Sequence, residues 1–171
     1  MINKRILNMI GYVLLFLGIS MFFSAIWSYL DKSDDLTAIL YSILITSGFG
    51  ALLIVLTQIK ISKIFPYFSF DDRDKLDLSH RDGYTLVSLS WIMMAIFSAL
   101  PFYLYGGPFD SYINSFFESI SGLTTTGASI LSTQDYSNIP KGLMFWRSFT
   151  HFIGGIGIIV FSIAILPLMG F

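Results

Sequence analysis

Cysteine is absent from the 171 residues. That removes a disulfide framework, a thiol nucleophile and any cysteine-ligated metal site. Histidine occurs only at His80 and His151, a poor start for a metal cluster. Charge is scarce: 12% of residues are Asp, Glu, Lys or Arg, where a soluble domain averages about 25%. No nucleotide-binding glycine loop of the Walker or Rossmann kind is present. What replaces charge is apolar, with 54% of residues hydrophobic and 17% aromatic. This is the composition of a membrane protein. A net charge of −1 gives no direction on partners, but the charges avoid the apolar runs.

After the basic start at Lys4 and Arg5, Ile6 to Leu30 carries no charge. The run exceeds the roughly 7–15 residues of a cleavable signal core, and bulky Phe22, Phe23, Ile26 and Trp27 surround its small pairs. It predicts a first transmembrane helix, with Trp27 and Tyr29 at the interface. Asp31-Lys32-Ser33-Asp34-Asp35 is a tight acidic turn. Leu36 to Ile59 is a second uncharged span, and the short turn makes the pair an antiparallel hairpin. Gly48 and Gly50 are expected at its helix contact. Residues 60–82 are polar, a solvated interfacial segment or a docking surface for a soluble partner, with His80 among its charges. Gly83 to Tyr105 forms a third span, in which Pro101 permits a kink. Gly106-Gly107-Pro108 breaks the chain, and Asp110 or Ser111 can cap the short helix beyond it. Leu143 to Leu168 forms the fourth span. Lysine and arginine concentrate at the N-terminus and in residues 60–82, which places both in the cytoplasm.

Between the third and fourth spans, Tyr112 to Ile120 predicts a helix of roughly 15 Å, half the thickness of a hydrocarbon core. A hydroxyl-rich stretch through Thr124, Thr125, Thr126 and Gly127 follows. A short helix and irregular backbone between two spans is the layout of a pore loop, because such backbone survives at membrane depth only inside protein or against water. If extended, these four residues offer successive carbonyls to a dehydrated potassium ion. Gly127 frees the backbone and leaves the axis open. The helix would point its C-terminal, negative end at the ion.

Glu118, on the short helix, reads as a source of field near that loop or as a carboxylate brace behind it. Arg147 either snorkels outward or pairs with an acid such as Glu118. His151, one turn on, could titrate or pack through a hydrogen bond. Gly154-Gly155-Ile156-Gly157 fits close helix packing, or a hinge.

Three stretches also carry a family resemblance. ESISGLTTTGAS, from Glu118, resembles the first pore loop of the Trk/Ktr superfamily of potassium transporters. RDGYTLVSLSWIMMAIFSALPFYL, from Arg81, resembles that family's first outer helix, and FWRSFTHFIGGIGIIVFSIAILPLMG, from Phe145, its first inner helix. The two spans ahead of Arg81 resemble the N-terminal hairpin of the TrkH/TrkG branch. The resemblance implies an all-α membrane protein: a hairpin (1–59), a cytoplasmic connection (60–82) and one helix–pore loop–helix repeat (83–171). It implies potassium uptake across the inner membrane through a filter at Thr124, Thr125, Thr126 and Gly127. It further implies a homodimer of pore subunits on a cytosolic, TrkA-like ring of nucleotide-binding regulatory subunits. Membrane lipid is then the surroundings; no organic cofactor and no nucleic-acid partner are expected.

The family has four repeats and this chain carries one, so a fragment of a longer subunit, or a pore completed by other chains, is expected. A non-conducting subunit with a structural or regulatory role is the alternative. An intramembrane serine hydrolase built on Ser121 and His151 is a third reading, but Ser119 stands where a nucleophile loop needs its first glycine, and no oxyanion hole can be named.

Overall fold

The computed structural model describes residues 4–58 and 80–165, with His80 and 161–165 as backbone only. The polar segment expected over 60–82 therefore lies almost wholly outside the described residues. Helices α1 (Lys4–Asp31), α2 (Leu36–Gln58), α3 (His80–Ser98), α4 (Leu100–Tyr105), α5 (Tyr112–Leu123), α6 (Thr133–Asn138) and α7 (Lys141–Ile165) follow in order, with a 3-10 turn at Gly107–Phe109. No strand occurs among the described residues. Four segments are long and apolar enough to cross a membrane: Lys4–Asp31, Leu36–Gln58, Arg81–Tyr105 and Lys141–Val160. This is an all-α, multi-pass membrane protein.

α1 and α2 are apolar on every face, as a helix is when one side meets protein and the other lipid. The buried side of α1 mixes small residues with Ile6, Ile10, Leu14, Leu17 and Met21. Gly11, Gly18, Ser24 and Ser28 of α1 are buried, while Phe16, Phe22 and Phe23 are half or more exposed. At the hairpin seam a Cβ on Gly50 would lie 2.8 Å from the Gly11 carbonyl oxygen. Two backbones touch there, which only small residues allow. Gly48, expected at the same contact, faces open space: it sits two residues from Gly50 and so points about 200° around the helix. At the seam's far end Asn8 Nδ2 donates to Thr57 Oγ1 at 2.7 Å.

The third span breaks between α3 and α4, two residues before Pro101. Proline lacks an N–H and disrupts the bonds of the preceding turn. Three carbonyls of that turn accept from outside the helix. Ser119 Oγ donates to the Ala95 carbonyl (2.9 Å), Tyr112 Oη to that of Ile96 (3.0 Å) and Trp146 Nε1 to that of Ser98 (2.9 Å). Ser98 and Ser119 also share a hydroxyl–hydroxyl bond. The kink is thus a socket that fixes α5 and α7 against α3, and Trp146 within it is fully buried.

The hairpin turn, the Gly107–Pro108 turn and α6 lie at one end of the bundle. Asp34, Tyr105, Gly107, Pro108, Asp135, Asn138 and Ile139 line a common cleft of about 350 Å³ there.

Candidate functional site

The site grows from α5. Ser111 is its N-cap, its hydroxyl accepting from the Ile113 N–H at 3.3 Å. Ser115, Glu118, Ser119 and Gly122 form the buried face, and Ile113, Phe117 and Ile120 the exposed one. The helix runs to Leu123, almost a turn past the expected end at Ile120. There α7 comes against it: a Cβ on Gly154 would overlap the Leu123 carbonyl, and one on Gly122 would overlap Thr150. Gly154 therefore serves close packing. Gly155 has nothing near it, and Gly157 faces Trp91.

α5 ends in a Schellman-type cap. The Thr126 N–H donates to the Ser121 carbonyl at 3.0 Å and the Thr125 N–H to that of Gly122 at 2.8 Å. Thr125 sits at φ 56°, a left-handed conformation in which a β-branched residue is an outlier costing about 1–3 kcal/mol. The extended path expected from Thr124 onward is thus a turn at Thr124–Thr125, opening out from Thr126. The helix end wins because its last carbonyls demand partners, and the loop amides supply them. Gly127 takes φ 79°, the one loop position where the absent side chain is conformationally required.

Thr124, Thr125, Thr126 and Gly127 are all exposed, and no described group donates to their carbonyls. Their hydroxyls are partly committed: Thr124 Oγ1 donates to the Ile120 carbonyl (2.8 Å) and lies 2.8 Å from Thr126 Oγ1. Exposed carbonyls without a protein donor take water or a cation as partner.

Behind the loop, Glu118 is 1% exposed. Its carboxylate accepts from Ser129 Oγ at 2.9 and 3.0 Å, from the Ile130 N–H at 3.1 Å and from Arg147 Nε, with which it forms a buried ion pair. This is the brace: one carboxylate ties α5, the exit of the loop at residues 129–130 and α7 together. The Arg147 guanidinium also stands 5.6 Å from the Tyr136 ring centroid, close enough for a cation–π contact. A further tie runs from Ser121 Oγ to the Ala128 carbonyl at 2.6 Å.

His151 Nδ1 bonds the Arg147 carbonyl at 2.8 Å. A carbonyl cannot donate, so the ring nitrogen carries the proton, which is the packing role. Ser121 and His151 each bond a backbone carbonyl rather than one another, so no nucleophile–base pair forms between them. Among the described residues no group of three His, Asp or Glu side chains could hold a metal.

Residues 48–171 match the family profile described as TrkH, cation transport protein. The chain belongs to the TrkH family. It is 43% identical over 98 residues to the Trk system potassium uptake protein TrkH of Vibrio parahaemolyticus, covering 57% of this chain and 20% of that one. It is 30% identical over 167 residues to TrkH of Halomonas elongata, covering 98% of this chain and 31% of that one. The crystal structure of the potassium transporter TrkH from Vibrio parahaemolyticus superposes with a TM-score of 0.78 at 29% identity, over 98% of this chain and 32% of that one. The chain thus spans a fifth to a third of the length of these TrkH relatives. The first two of the three resembling stretches, from Arg81 and from Glu118, and the third from Phe145 all fall within the matched region. The left-handed Thr125 gave no signal in the sequence, because threonine does not announce a positive φ as glycine does.

Proposed function

We propose that this chain contributes one ion-coordinating loop to the potassium pore of a Trk-type uptake system in the inner membrane. Thr124, Thr125, Thr126 and Gly127 present carbonyls to the ion, and Glu118 with Arg147 holds the loop in place. The observation that carries this reading is the run of four exposed residues to whose carbonyls no described group donates, at the C-terminal end of a braced short helix. A partial negative charge of about half an electron at that end favours a cation. Lone carbonyls cost little there only if an ion or water satisfies them.

One loop touches an ion from one side, so further loops must complete the ligand ring. The relatives are several times longer than this chain, and their extra length is where those loops would lie. The relatives' names speak of a Trk system, which fits a pore subunit working as a homodimer with a TrkA-like cytosolic regulatory partner. The N-terminus and the 60–82 connection then face the cytoplasm, and α6 faces outward.

Gly127→Ser tests the assignment in the subunit with its full set of loops. A side chain at φ 79° strains the backbone and crowds the ion path, and its hydroxyl offers a ligand to a smaller ion. Competition of sodium against rubidium uptake should strengthen about tenfold, equivalent to about 1.4 kcal/mol of lost discrimination. Unchanged competition would place Gly127 outside the ion path.

A further inference from the structure

The acidic hairpin turn holds a residue that the pore chemistry does not use. Asp35 is 0% exposed although it lies in a four-residue turn between two membrane helices. Ser28 Oγ and Ser33 Oγ both donate to its Oδ1. Its Oδ2 accepts from the Leu143 N–H at 2.9 Å, across 108 residues of sequence. Leu143 is in the first turn of α7, where backbone N–H groups have no partner in their own helix. The neighbouring residues reinforce the contact. Ser24 Oγ donates to the Gly142 carbonyl, and Lys141 pairs with Asp31. A Cβ on Gly142 would strike both Asp35 and Ser28. Trp27 meets Phe145 at 6.0 Å between ring centroids, and Phe23 meets Phe149 at 5.7 Å.

We infer that Asp35 is a positioning residue for the ion-coordinating loop: the N-terminal hairpin caps α7 from a distant part of the chain and so sets the height of Arg147. The path is short and continuous. Leu143 lies one helical turn before Arg147, whose Nε holds Glu118, whose Oε2 holds the Ile130 N–H at the loop's exit. A carboxylate suits a helix N-terminus because it meets unpaired N–H groups and the positive end of the dipole. The hairpin is then part of the pore's alignment and not merely an added pair of membrane anchors. This rests on the loop assignment proposed above for its consequence, though not for its mechanics.

The mechanics are tested by amide hydrogen exchange on the purified 171-residue chain in nanodiscs, wild type against Asp35→Ala and Asp35→Asn. Asp35→Ala removes the cap, and the amide of Ile130 should exchange about tenfold faster, the size of losing one cap. Asp35→Asn keeps an acceptor oxygen and should restore most of that protection. A purely local role would raise exchange at Leu143 and leave Ile130 unchanged, which overturns the inference. If Asp35→Ala does not fold, Ser28→Ala with Ser33→Ala loosens the same carboxylate, and the same two amides decide. Sodium-against-rubidium competition in the complete subunit separates the two proposals. Faster Ile130 exchange in Asp35→Ala with unaltered ion competition in Gly127→Ser would uphold the coupling and refute the ion-coordinating role of the loop.

Discussion

Replacing Arg147 with methionine would leave the Glu118 carboxylate buried without its counter-charge. The side chain of Glu118 is 0% exposed and that of Arg147 14%, so solvent screens the pair weakly. Breaking a buried pair by removing one partner costs about 3–5 kcal/mol. Here Ser129 Oγ and the Ile130 N–H still donate to the carboxylate, and methionine fills most of the vacated volume. The lower end applies, about 3 kcal/mol, which is roughly a hundredfold in the folded population. The double replacement Glu118→Gln with Arg147→Met removes both charges. It leaves a glutamine oxygen to accept from Ile130, at a net loss of about 1 kcal/mol. The double variant should therefore be more stable than Arg147→Met alone by about 2 kcal/mol, and any cost of Glu118→Gln alone adds to that figure in the coupling. Equilibrium unfolding in mixed micelles of dodecyl sulfate and dodecyl maltoside, followed by far-ultraviolet circular dichroism, measures all four species. A cost below about 0.5 kcal/mol for Arg147→Met, or simple additivity in the double variant, would show that the pair braces nothing.

Two further outcomes concern the end of the bundle that carries α6 and the hairpin turn. Asp135 closes a capping box with Ser132 at the start of α6, and the hydrogen bonds from the Ser132 side chain and backbone hold its carboxyl below the ordinary value of 3.8. Its folded pKa is depressed, so this contribution is full above pH 3.8 and fades as pH falls through the lower folded value. Amide exchange over residues 133–138 should stay constant from pH-corrected neutral conditions to about pH 4 and rise below it, and Asp135→Asn should abolish that transition. Because the chain has no native cysteine, single cysteines report topology cleanly. One at Asp34 or Ser137, both exposed, should react with an impermeant maleimide outside intact cells, and one at Asp72 should not. Labelling of Asp72 from outside would reverse the orientation read from the basic residues.

Much of this arrangement is legible in the sequence because it depends on local rules. Uncharged runs give the spans, and the short acidic turn gives the hairpin. Pro101 gives the kink, and Ser111 caps α5 as a serine before a helix does. The pairing of Glu118 with Arg147 is also legible, since two opposite charges in an otherwise uncharged setting have few other partners. The remainder depends on distance in sequence. Nothing near Pro101 reveals that Tyr112, Ser119 and Trp146 will occupy the carbonyls of the broken turn. Asp35 looks like one of three solvated acids, and only the arrival of α7 makes it a buried cap. Gly48 and Gly50 are alike in composition, and the angle between them around the helix decides which one touches α1. The turn at Thr124–Thr125 escapes because the demand of a helix end for hydrogen-bond donors overrides a threonine's preference for extended backbone.

Whether the carbonyls of Thr124, Thr125, Thr126 and Gly127 ligate the ion is settled most directly by crystals of the complete subunit grown in thallium in place of potassium. Anomalous density should appear on the pore axis within direct ligand distance of those carbonyl oxygens, and should weaken when sodium replaces thallium. Thallium bound elsewhere along the conduction path, with this loop facing only water, would contradict the assignment.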